Sequence, residues 1–71
     1  MDAPYNKVLK QVEDALLKDP RTKNAVIDIG YNRGVITLSG NVKNEKERQA
    51  AEEIVRSLPD VLQVVNELKV R

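Results

Sequence analysis

Residues 27–42 read IDIGYNRGVITLSGNV, and this stretch decides the fold. Ile27, Ile29 and Tyr31 alternate with Asp28 and Gly30. Ile36, Leu38 and Val42 alternate with Thr37, Ser39 and Asn41 in the same way. A period of two, rich in β-branched residues, marks strands with one apolar face. Between the two runs lies Asn32-Arg33-Gly34, where Asn and Gly tolerate the positive φ that a tight hairpin turn needs. The stretch therefore reads as a β-hairpin, with strands over 25–31 and 35–42. Gly40, inside the second strand, marks a bulge or a place where a helix packs closely, the bulge being preferred.

On the N-terminal side, Tyr5, Val8, Leu9, Val12 and Leu16 recur at spacings of three and four, which predicts a helix over 4–18. Asp2 is its expected cap, Pro4 suits its first turn, and Asp19-Pro20 ends it. On the other side, Asn44 and Glu47 form a capping-box pattern that opens a helix over 45–58. Its stripe is Ala50, Ala51, Ile54, Val55 and Leu58, and Pro59-Asp60 stops it. A last strand follows over 62–70, with Val64, Leu68 and Val70 on one face and Val65, Glu67 and Lys69 on the other. Asn66 falls among the apolar set, so it either finds a hydrogen bond or is turned outward by a bulge.

The order helix–strand–strand–helix–strand gives an α+β fold in two layers: a mixed three-stranded sheet covered on one face by both helices. The second helix makes a crossover, so the strands on either side of it run parallel. Seventy-one residues make one expected domain, spanning 1–71, with a small core. The outer sheet face would carry Val26, Val35 and Val65 among polar residues, a possible contact surface for another protein domain.

Twelve basic and eleven acidic residues leave a net charge of +1, spread evenly over the chain, which speaks against a nucleic-acid partner. No apolar run reaches the roughly 20 residues of a transmembrane helix, and no signal peptide is read. There is no His and no Cys, so the commonest acid–base, nucleophilic and zinc chemistries lack their side chains. The carboxylate pairs Asp14/Asp19 and Glu52/Glu53 lie outside the apolar stripes and form no catalytic constellation. No catalytic residue, metal site or cofactor is therefore expected.

The chain resembles the BON domain of bacterial osmotic-shock and nodulation proteins. The resemblance is carried by Val12, Ala15-Leu16 and Asp19-Pro20, by Ile27 and Ile29, and by the run Gly34 to Val42. Glu47-Arg48, Ala50-Ala51 and Ile54 continue it, as do Val61, Val64, Asn66, Leu68 and Val70. Two connections depart: Asp60 stands where the family usually has Gly, and Thr22 where an apolar residue is common. The resemblance implies a non-enzymatic module that attaches to phospholipid surfaces, often in tandem, in periplasmic or envelope-associated proteins. Such domains also accompany channel, secretin and regulatory domains; the alternative reading is a protein-interaction or regulatory module within a larger envelope protein, using the outer sheet face. For an anionic phospholipid surface the candidate contacts are Tyr5, Lys7, Lys10 and Lys18 on the outer side of the first helix, and Arg21 and Lys23 after it.

Overall fold

The computed structural model describes residues 5–71, with Tyr5 described by its backbone alone. Its elements in order are α1 (Tyr5–Lys18), β1 (Val26–Asn32), β2 (Val35–Val42), α2 (Glu45–Arg56) and β3 (Gln63–Val70). The Asp2 cap and Pro4 expected at the first helix lie outside the described residues.

The hairpin closes with a two-residue loop, because Asn32 pairs with Val35. Arg33 and Gly34 then take φ values of 49° and 85°. Positive φ at both central positions is the type I′ geometry, whose twist matches the right-handed twist of the strands. Arg33, not Asn32, thus adopts the left-handed conformation. The Gly34 carbonyl accepts the N–H of Leu62 at 2.7 Å and of Gln63 at 3.2 Å, so the turn also anchors the start of β3.

β2 is the central strand, antiparallel to β1 and parallel to β3. Its inner residues Ile36 and Leu38 are wholly buried. They meet Val8, Val12 and Leu16 of α1, Ala51 and Val55 of α2, and Leu68 of β3 in one cluster. Ile27, Ile29 and Tyr31 pack against its rim. Both helices thus bury their stripes on the same side of the sheet, α1 over β1 and α2 over β3 and β2. Full burial contributes about 1.5–3 kcal/mol for each large aliphatic side chain.

Gly40 is not a bulge: the β1–β2 register runs unbroken from Val26–Asn41 to Asn32–Val35. Nor does a helix approach it. Its φ is 118°, and a Cβ there would lie 2.5 Å from the Val26 carbonyl oxygen. Glycine is required because the backbone of β1 itself occupies the space.

The capping box of α2 forms with Asn44 Oδ1 accepting the Glu47 N–H at 2.8 Å. Glu47 Oε1 reaches one residue further back than expected and accepts the Lys43 N–H at 3.0 Å. The helix ends at Arg56 rather than 58. Pro59 disfavours helical geometry at Leu58, and Ser57 caps the end, its hydroxyl donating to the Ile54 carbonyl at 2.7 Å. Thr22, the polar residue in an apolar position, is buried and donates its hydroxyl to the Leu16 carbonyl at 2.6 Å. It fills space and satisfies one of the carbonyls that the end of α1 leaves open.

Candidate membrane-facing surface

On α1 the buried positions Val8, Val12 and Leu16 define the inner face. Lys7, Lys10, Asp14 and Lys18, spaced by three, four and four, form one exposed row on the opposite side. Lys7, Lys10 and Lys18 are paired with no carboxylate of the described residues. Lys18 also sits in the last turn, where a cation suits the negative end of the helix. Lys23 is exposed in the connection that follows. Nothing is described of the Tyr5 side chain.

Arg21 does not stand with these lysines. Its Nε and Nη2 donate to Asp19 Oδ1 and Oδ2 at 3.0 and 2.9 Å, and its backbone N–H also donates to Oδ1, at 2.9 Å. Glu53 lies 3.6 Å from Nη1. The hydrogen-bonded guanidinium holds the Asp19 carboxyl below the usual range, and the carboxylate raises the Arg21 pKa in turn. This fork closes the turn after α1, and its charge is balanced by two acids. Of the other carboxylates noted in the sequence, Glu52 and Glu53 have partners, while Asp14 is exposed in the lysine row. Glu52 pairs with Arg56 and accepts from Asn66, while Glu53 faces Arg21.

Leu17, 62% exposed, lies beside the lysine row. With Glu13, Leu16, Thr22, Ala25, Ile27 and Ile29 it lines an apolar cleft of about 150 Å³ between α1 and β1. A second basic group was not read from the sequence. β2 and β3 run parallel and end together, setting Asn41 beside Lys69, while the Arg71 N–H donates to the Val42 carbonyl at 2.9 Å. Lys69 and Arg71 border one open hollow on the outer side, and Lys43 with Arg71 borders a second near Val26. The signal for this cluster is the strand register, which local patterns do not specify.

The three valines do not form one patch. Val26, 77% exposed, pairs with Asn41, whereas Val35 pairs with Asn32 and Gln63, and Val65 with Thr37. Val35 and Val65 are diagonal neighbours; Val26 is separated from Val35 by six residues along β2, about 20 Å at strand rise.

Among the described residues no cluster of His, Cys, Asp and Glu gathers to hold a metal ion. None of the described helices is long and apolar enough to cross a membrane. A search of curated proteins finds none that matches this chain. The family model described as the BON domain matches residues 6–71, which takes in both helices and all three strands. The chain belongs to the BON domain family, whose members are non-catalytic, binding-type modules.

Proposed function

We propose that this chain is an attachment module for anionic phospholipid surfaces, docking through the outer side of α1. The observation that carries the reading is the exposed row of Lys7, Lys10 and Lys18, free of carboxylate partners among the described residues and backed by a rigidly packed helix. Lys23 is exposed in the connection after the helix, and Leu17 adds apolar surface beside the row. Membership of a family of binding modules supports the same reading. Arg21 contributes by shaping the turn rather than by meeting lipid, since Asp19 and Glu53 already balance it.

Each lysine close to an anionic leaflet contributes about 1 kcal/mol. Three together give about a hundredfold in partition, provided the salt is low enough for the field to reach the surface. Co-sedimentation with vesicles containing phosphatidylglycerol is the test. The chain should pellet with anionic vesicles at low salt, stay in solution with neutral ones, and lose about a hundredfold in binding when Lys7, Lys10 and Lys18 are all changed to Gln. Equal pelleting of this triple variant and the parent chain would refute the assignment to α1.

A further inference from the structure

The sheet has two outer strands, and the protein treats them differently. On β3 the residues bonded to β2 are the odd-numbered ones, as Gln63 and Arg71 show by donating to Gly34 and Val42. The even-numbered residues therefore point their backbone groups outward. At Leu68 those groups are taken: Asn66 Oδ1 accepts its N–H at 3.1 Å, and Arg48 Nε donates to its carbonyl at 3.3 Å. On β1 the two-residue turn makes Asn32–Val35 a bonded pair, and alternation continues through Gly30–Thr37 and Asp28–Ser39. The N–H and C=O of Ile27 and Ile29 then face away from β2, with no strand of the described residues beyond them.

This edge is also furnished for side chains. A strand added to β1 lies about 4.8 Å further out. Its inward side chains would enter the apolar cleft that Leu16, Leu17, Ala25, Ile27 and Ile29 line beneath α1. Its outward side chains would lie beside Asp28, and Glu13 stands at the mouth of the cleft. Acidic groups thus flank the edge above and below the sheet plane. A second copy of the chain pairing through its own β1 does not fit. Each copy carries α1 over β1, and two helices need about 8–10 Å between axes where edge strands allow about half that.

We propose that the β1 edge is a strand-addition site for an extended segment of a partner protein in which aliphatic side chains alternate with basic ones. The segment pairs with the backbone of Ile27 and Ile29, fills the cleft with its aliphatic residues and sets a basic residue beside Asp28. This goes beyond attachment to lipid and uses a different surface from the lysine row.

The test is a nuclear magnetic resonance titration of the isotopically labelled chain. The probe is a blocked seven-residue peptide of alternating valine and lysine; the controls are its valine–glutamate counterpart and a form N-methylated at every second residue. At saturation the lysine peptide should shift the Ile27 and Ile29 amides and slow their hydrogen exchange about tenfold. It should bind about tenfold more tightly than the glutamate peptide, and Asp28→Lys should reverse that order. The N-methylated form should not bind. Asp28 is exposed on the outer face, so this variant leaves the core untouched. Shifts confined to β3 or to the outer side of α1, or equal binding of the N-methylated form, would overturn the proposal. So would exchange protection of Ile27 and Ile29 that grows with protein concentration in the absence of peptide, which would assign the edge to a second copy.

Discussion

Asn66 and Ile29 occupy comparable places on the two outer strands, both half-buried on the helix side of the sheet, yet they leave their edges in opposite states. Asn66 interrupts an apolar series and spends its amide on tying the edge of β3 to α2. Its Nδ2 donates to the Arg48 carbonyl at 3.1 Å and to Glu52 Oε1 at 3.2 Å, while its Oδ1 holds the Leu68 N–H. Ile29 keeps the apolar series of β1 regular and offers the core rim a large side chain, with no strand of the described residues beside its backbone. An exposed edge is a template for pairing, and one way to blunt it is to satisfy it from within. The comparison teaches that a polar residue breaking a strand's pattern can be the sign of an edge blunted at one point, here Leu68, and an unbroken pattern the sign of an available one.

The comparison is broken most strongly at Gly40, which lets β1 approach β2 at all. Gly40→Ala places a Cβ against the Val26 carbonyl at a φ of 118°, so strain and overlap act together. The expected loss is about 3 kcal/mol, a large part of the few to ten kcal/mol a chain of this length commands. Urea denaturation should show the midpoint falling sharply, and an unchanged midpoint would mean that β1 does not press on this glycine.

Asn66→Ala unseals β3. It leaves the Leu68 N–H and the Arg48 carbonyl to find water, at a cost of about 1–3 kcal/mol. In the parent chain the Leu68 amide should exchange more slowly than that of Ile29; in the variant the two should approach each other. If Leu68 keeps its protection without Asn66, the sealing belongs to some other contact.

The smallest effect sharpens the hairpin that carries the open strand. Arg33 sits at a φ of 49°, where Asn followed by Gly is preferred. Arg33→Asn should stabilise by about 0.5–1 kcal/mol, read as a higher midpoint with the same denaturant slope. A lower midpoint would mean that the Arg33 side chain contributes more than its backbone costs.

Much of this architecture is legible before any coordinates. Period two in 27–42, the spacings of Val8, Val12 and Leu16, and the Asn44–Glu47 pair each report a local backbone geometry. Each is confirmed where it falls, in the hairpin, the buried stripe of α1 and the cap of α2. The lysine row of α1 is legible for the same reason, since helical period alone sets Lys7, Lys10 and Lys18 on one side. The pairing of Arg21 is not legible in that way, because it depends on a carboxylate two residues away and on Glu53 of the other helix. The valine patch divides because alternation says which face a residue is on and nothing about how far along the sheet it lies.

The sequence by itself determined which segments are helix and strand, which faces are apolar, and that both helices cover one side of the sheet. These follow from side-chain spacing against fixed backbone periods, and they need no knowledge of distant residues. Only the tertiary structure decided which edge is blunted at Leu68, that Asn66 reaches across 18 residues to Arg48 there, and that Asn41, Lys43, Lys69 and Arg71 gather at the ends of parallel strands. Those outcomes depend on register and on how far a helix stands from the strand beneath it, quantities set by the packing of the whole core rather than by any stretch of chain within it.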